Sequence, residues 1–202
     1  MQAARTQIER SDATRRALID SARNLFGSRG YAAVPLDEVV SAAGVTKGAL
    51  YHHFPGGKKD LMEALYETVE ADFTERVTAG IAPHLAGEVD PLDIMGAAIE
   101  ETLDLSMDPE LQQILLLDSL AVLGWSRWRE IADKYSLAVV KSLLAAAVEH
   151  GSMKPLPTES LANLLMAALS EAILMIARAG DQEQAKSDAS RSLKAIIDGL
   201  RA

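Results

Sequence analysis

Apolar residues along the chain recur at the helical period almost throughout. No segment alternates apolar and polar positions for long enough to make a strand. A first helix is expected to start near Ser11 or Asp12, either of which offers a capping side chain. It would present Ala17, Leu18, Ser21, Ala22, Leu25 and Phe26 on one face until Gly30 stops it. Leu36 to Ala43 reads as a short second helix, with Pro35 at its start, where a missing N–H costs nothing. Ala43-Gly44-Val45 is a tight turn, Thr46 is placed to cap a third short helix from Lys47 to His53, and Pro55-Gly56-Gly57 breaks the chain. Helix four then runs from Lys58 to Gly80, a loop from Ile81 to Pro91, and helix five from Leu92 to Ser106. Helix six begins at Asp108-Pro109 and ends near Leu123, and helix seven follows Gly124 as far as His150. Gly151 to Pro157 is an interruption. Thr158 with Glu159 opens helix eight, which runs to Ala179, and Gly180-Asp181 turns the chain into helix nine, Gln184 to Leu200.

The pattern predicts an all-α chain of about nine helices in two functional parts. Residues 1–57 would form a three-helix head and residues 58–202 a larger helical body. Two short helices joined by a turn containing glycine fit a helix-turn-helix. Gly44 supplies a turn residue that tolerates positive φ. Val39, Ala43, Val45 and Leu50 fall where the two helices should pack on each other, and Ala43 is small at their crossing. The third helix then offers Lys47, Gly48, Ala49, Tyr51, His52 and His53 outward. Small residues there allow a helix to seat deep in a major groove, and Lys, Tyr and His supply donors for phosphates and base edges.

Charge first opposes and then supports this reading. The net charge of −9 argues against a nucleic-acid partner, yet residues 1–60 carry nine Lys and Arg against six Asp and Glu, a net of +3, and the remainder carries −12. A basic head on an acidic body suits a protein that meets phosphate with one end. The chain has no cysteine, which excludes disulfides and thiolate metal sites and fits a cytoplasmic location. MQAARTQIER has no apolar run and does not read as a secretory signal. Leu161 to Ala179 approaches membrane-spanning length, but Asn163, Glu171 and Arg178 within it favour a buried helix at a subunit interface, with no membrane partner.

From Arg16 to Leu61, RALIDSARNLFGSRGYAAVPLDEVVSAAGVTKGALYHHFPGGKKDL resembles the DNA-binding domain of the TetR/AcrR family of transcriptional regulators. Ala43-Gly44-Val45-Thr46-Lys47-Gly48-Ala49-Leu50-Tyr51-His52-His53-Phe54, followed by Lys58 or Lys59, is the most specific part. Leu123-Gly124-Trp125-Ser126-Arg127-Trp128-Arg129 is similar to one subgroup of that family. The resemblance implies a repressor that leaves a palindromic operator when a small ligand binds, and a homodimer built on helices eight and nine. It also implies roles. Thr46 would cap the recognition helix beside a phosphate, Lys47 would reach a phosphate or base edge, and Gly48 and Ala49 would lie against the bases. Tyr51 and His52 would touch backbone phosphates, Lys58 or Lys59 would meet a phosphate at the start of helix four, and Arg15 or Arg16 would brace a flanking phosphate. Val34 and Pro35 stand where the family usually has hydroxyl residues, which removes an expected cap before helix two, and Gly56-Gly57 lengthens the turn before helix four.

The C-terminal part is less explicit. Trp125 and Trp128 fall on one face of helix seven, either as core or as the wall of a ligand cavity. Met95, Met107, Leu116, Met166 and Met175 are candidates to join such a wall. Asp118 and Glu171 interrupt apolar faces and would select a polar or cationic group on an otherwise hydrophobic or amphipathic ligand, unless Glu171 faces a partner subunit. Tyr51 reads as a DNA contact in preference to core. His52 and His53 point about 100° apart on a helix and lack a carboxylate at ligand spacing; His84 and His150 read as solvated. No cofactor or metal ion is expected, and no catalytic motif is present. The rival readings are a helical enzyme, a non-specific DNA binder, and an activator or ligand-independent repressor on the same fold.

Overall fold

The computed structural model describes residues 2–85 and 88–202, and 82% of the chain is helical. Nine helical segments succeed one another among the described residues. They are α1 (Gln2–Arg29), α2 (Leu36–Ala42), α3 (Lys47–His53), α4 (Lys58–Ile81), α5 (Pro91–Leu105), α6, α7, α8 (Thr158–Arg178) and α9 (Gln182–Asp198). α6 runs on through Pro109–Leu111, Gln112–Asp118 and Ser119–Leu123, and α7 through Trp125–Ala132, Asp133–Leu137 and Ala138–His150. No strand forms among the described residues; one isolated antiparallel bridge joins Met153 to Arg201.

The expected helix boundaries hold to within a residue or two, with one larger correction at the start. α1 does not wait for Ser11 or Asp12 but begins at Gln2. Nothing between Gln2 and Arg10 breaks a helix, and the Ala, Gln, Arg and Glu residues there are strong formers, so Ser11 and Asp12 are interior. Pro35 sits one position earlier than expected, as the extended residue before α2, where its side chain can cap nothing. In the stretch expected to be a loop, Ala82–Leu85 makes a 3₁₀ turn, and residues 86–87 lie outside those described.

Both composite helices contain a π turn, which inserts one residue into the helical ladder and displaces carbonyls from their ordinary partners. In α6 side chains add donors to two of those carbonyls. The buried Ser119 hydroxyl donates to the carbonyls of Ile114 (2.6 Å) and Leu115 (2.9 Å), and the Trp128 indole N–H donates to Leu115 at 3.0 Å. These donors add to the backbone's own bond from the Ser119 N–H to the Ile114 carbonyl and so reinforce the irregular turn.

The chain divides into two compact units. The first joins Met1–Val69 with Pro109–Trp128. Leu18, Ala22 and Phe26 of α1, Val39 of α2 and Leu50 of α3 are buried, as their spacing predicts, together with Val40 of α2 and Leu61, Met62 and Leu65 of α4. α6 lies close along α1: an added Cβ on Gly27 would come within 2.5 Å of Glu110, whose carboxylate accepts from Arg23 at 2.7 Å. The second unit joins Glu70–Asp108 with Arg129–Ala202. Leu92 and Met95 of α5, Leu144 and Ala147 of α7, Ala162 and Leu165 of α8, and Ile197 of α9 form one core cluster. Leu103, Ala172, Ile176, Ala189 and Leu193 form another. Arg201 closes its C-terminal end, donating to Asp90 at 2.7 Å and pairing with Asp93.

Candidate DNA-binding interface

The second and third helices pack as the spacing requires. Val39 and Leu50 are fully buried between them, while Ala43 and Val45 are half-buried at the turn. Gly44 adopts φ +66°, and an added Cβ would meet nothing within 4 Å, so the glycine is there for backbone conformation and not for space. Val45 then donates back to the carbonyl of Val40 at 3.2 Å, and Thr46 takes up an extended conformation. Its hydroxyl accepts from the Ala49 N–H at 3.2 Å, an N-cap that satisfies one otherwise orphaned donor of α3.

Beyond that cap, α3 leaves polar and small groups outward. Lys47, Gly48, Tyr51 and His52 are exposed and Ala49 is half-buried. Four-residue spacing places Lys47 beside Tyr51 and Gly48 beside His52 on the helix surface. A Cβ on Gly48 would meet only the Thr46 hydroxyl, at 3.8 Å, so the surface there is open. Tyr51, 51% exposed, rests its ring edge against Gly57: a Cβ on that glycine would lie 3.3 Å from Cε1. The phenol is therefore held by the turn before α4 without being buried in the core. Lys47 pairs with Asp37 of α2 at 2.8 Å, and this hydrogen bond raises the pKa of its ammonium. His53 is half-buried where His52 is exposed. Burial, then the neighbouring His52 and Arg15, lower its pKa, so the ring is neutral near pH 7 and carries no charge for a phosphate.

The two lysines at the start of α4 part company. Lys58 turns inward: its ammonium donates to the Tyr31 carbonyl and lies 4.0 Å from the Tyr31 ring centroid, and burial lowers its pKa. Lys59 is exposed. Between the breaker and the helix, the Asp60 carboxylate accepts from the Gly56 N–H at 2.6 Å and fixes the turn. On α1, Arg15 is exposed with its guanidinium 5.6 Å from the Phe54 ring centroid, a contact that orients it at the end of α3.

The candidate ligand residues are divided between the two units. Leu116, Asp118, Trp125 and Trp128 belong to the first unit, and Met95, Met107, Met166, Glu171 and Met175 to the second. Trp128 is buried, stacked on Tyr66 with ring centroids 6.2 Å apart, whereas Trp125 is 63% exposed. The Asp118 carboxylate accepts from the Tyr31 N–H at 2.7 Å, beyond the C-terminus of α1, and so serves that turn. Met95 lies in the core of the second unit, Met107 and Met166 pack partly buried against it, and Glu171 and Met175 face outward on α8.

Two features escaped the sequence reading. One is Asp37, which only the fold brings to Lys47. The other is Glu70, buried in the second unit. Its spacing carried a signal: it falls four residues after Tyr66 and three before Phe73, on the apolar face of α4.

The chain was compared with known proteins. The model of the bacterial regulatory proteins, tetR family, matches residues 18–65, and that of the tetracyclin repressor-like C-terminal domain matches residues 92–200. The Transposon Tn10 TetC protein of Escherichia coli is 29% identical over 169 residues, covering 79% of this chain and 78% of that one. The HTH-type transcriptional regulator CymR of Pseudomonas putida is 41% identical over 78 residues, 39% of this chain and 38% of CymR. The crystal structure of a TetR-family transcriptional regulator from Pectobacterium atrosepticum superposes with a TM-score of 0.82 at 29% identity, covering 96% of this chain and 97% of that one. With both halves matched in order on a capped helix-turn-helix and an all-helical body, the chain belongs to the TetR family of transcriptional regulators.

Proposed function

We propose that the chain works in the cytoplasm as a homodimeric repressor, seated on a palindromic operator by two α3 helices and released by a small hydrophobic or amphipathic ligand. As a TetR-family member it is a DNA-binding transcriptional regulator. The observation that carries the finer reading is the outward set of α3: a Thr46-capped helix with Lys47, Gly48, Tyr51 and His52 exposed and only the Thr46 hydroxyl near Gly48. Gly48 and Ala49 would meet base edges; Thr46, Tyr51, His52, Lys59 and Arg15 would meet phosphates. Lys47 would exchange Asp37 for DNA. The inward ammonium of Lys58 favours Lys59 as the phosphate ligand and leaves Lys58 to hold Tyr31.

The division of labour runs 1–57 for DNA and 58–202 for ligand and dimer. Support for a dimer through α8 and α9 comes from what the single chain leaves open. Among the described residues α8 is the one helix long and apolar enough to cross a membrane, yet only 22% of its apolar window is buried. Leu164 and Met175 are 67% and 59% exposed, and Ile196 on α9 is exposed as well. Glu171 and Arg178 are exposed on the same helix, which suits a partner subunit better than lipid. Two recognition helices about 34 Å apart would then meet successive major grooves. Ligand release needs the ligand to prefer the non-binding state, by a coupling on the order of 1–3 kcal/mol.

Selection of bound duplexes from a random pool should return a palindrome, and the double variant Lys47→Ala, Tyr51→Ala should lose that operator while remaining dimeric. A pool without enrichment, or unchanged affinity in the double variant, would overturn the assignment of α3.

A further inference from the structure

α4 carries an acid where its pattern calls for an apolar residue. Glu70 is 7% exposed, and among the described residues no Lys, Arg or His pairs with it. Among the described residues its hydrogen bond comes from a neutral group: the Ser136 hydroxyl donates to Oε1 at 2.5 Å. Ser136 in turn lies 3.3 Å from the hydroxyl of Thr74, one helical turn after Glu70. Ser136 and Thr74 are half-buried, so hydroxyls lead from the surface to the carboxyl group. Ser136 belongs to the π turn Asp133–Leu137, an irregularity of the kind that gathers at functional sites. A buried carboxylate without a cation is costly, and here burial pushes the Glu70 pKa up to about 7. The same position filled by an apolar residue would pack at no such cost.

We propose that Glu70, with Ser136 and Thr74, forms the polar end of the effector site, and that the effector presents to it a protonated nitrogen, as in a lipophilic amine or amidinium. This rests on the reading of the chain as a ligand-released regulator. Desolvation of the carboxylate is already incurred in folding, so an entering cation gains an ion pair at low dielectric. The hydroxyls of Ser136 and Thr74 retain lone pairs for the remaining N–H groups of an ammonium. An anion would be repelled, and a metal ion would find one carboxylate and two hydroxyls, too few ligands to hold it.

Titration calorimetry on the full-length dimer near pH 7 tests this with n-octylamine and 4-phenylbenzamidine, each beside a neutral counterpart, n-octanol and 4-phenylbenzamide. The cations should bind about tenfold or more tightly than their counterparts. Their binding should release protons, read as a heat that changes between phosphate and Tris buffers, because a partly protonated carboxyl becomes fully ionised. Glu70→Gln should abolish both the preference and the proton release. Ser136→Ala should weaken the preference severalfold but enlarge the proton release, because the lost hydrogen bond favours the ionised carboxyl; this keeps the test decisive if the first variant folds poorly. Equal binding of charged and neutral compounds, cation binding unaltered in both variants, or no binding by either cation would overturn the proposal. Its failure is separable from that of the regulator reading. Release of a selected operator by neutral compounds alone would sink the cation site and keep ligand release. Operator binding indifferent to every compound of a broad library would sink ligand release itself.

Discussion

Replacing Glu70 with Gln should make the protein more stable above neutral pH and leave it little changed in mild acid. In the folded chain the carboxyl titrates near 7, against an ordinary value of 4.5. Between those values the folded state holds a proton that the unfolded chain has lost. The unfolded state therefore binds fewer protons, and stability must fall as pH rises through this window. At about 1.4 kcal/mol for each pH unit, the full loss by pH 8 is on the order of 3 kcal/mol per protomer. That is a large share of the 5–15 kcal/mol typical of a domain. Gln keeps an acceptor for the Ser136 hydroxyl and removes the titration; its extra N–H₂ adds a penalty that does not vary with pH. The diagnostic is thus the slope and not the offset. Urea unfolding at fixed protomer concentration, at several values between pH 4.5 and 8, gives the difference between variant and wild type. That difference should grow by about 3 kcal/mol across the window. A difference that stays flat would show that Glu70 is not held in a desolvated site, and the reasoning from its burial would fail.

Three further outcomes follow from the interface. Gly48→Ala makes only an ordinary van der Waals contact with the Thr46 hydroxyl in the free protein, so it should raise the melting temperature modestly, with up to about 1 kcal/mol from helix propensity. It should nevertheless weaken operator binding in a filter or anisotropy assay; full affinity would remove this face from the groove. Thr46→Ala deletes the cap on Ala49 and should cost about 1 kcal/mol in chemical unfolding, with a matching loss of operator affinity, whereas Thr46→Ser should retain both. Leu164→Glu combined with Met175→Glu should convert the dimer to a helical monomer by light scattering, because each apolar side chain contributes about 1.5–3 kcal/mol when buried and symmetry counts it twice. A dimer that survives would place the interface elsewhere.

Helix existence was legible because apolar spacing and breakers agreed. Leu18, Ala22 and Phe26 are buried as their spacing requires, and Gly30, Gly44 and Gly151 take the positive φ that their places at helix ends or turns demand. The π turns were not legible. They arise from tertiary contacts such as the Trp128 indole on the Leu115 carbonyl, and a period of 3.6 carries no mark of one inserted residue. The inward turn of Lys58 was hidden for a similar reason. Two adjacent lysines read alike until Tyr31 offers one of them a carbonyl and a ring face.

The recognition helix and the ligand side differ in legibility because their partners differ. Duplex DNA offers every reader the same groove width and the same phosphate spacing, so a helix that enters it must leave small residues at its centre and donors at its flanks. That constraint acts on residue types at fixed spacing, and Thr46 to His52 display it without any knowledge of the fold. A small ligand imposes no such common geometry. Its site is assembled from residues distant in sequence, as the proposed pair Glu70 and Ser136 would be, 66 positions apart. Tryptophans and methionines also build ordinary cores, so residue type alone offered both Met95, which lies in a core cluster, and Met175, which faces outward. A buried acid on an apolar face is more discriminating, because packing alone has no use for it. In a regulator whose head is read from its pattern, the body is better read from its exception, and in this chain the buried exception on α4 is Glu70.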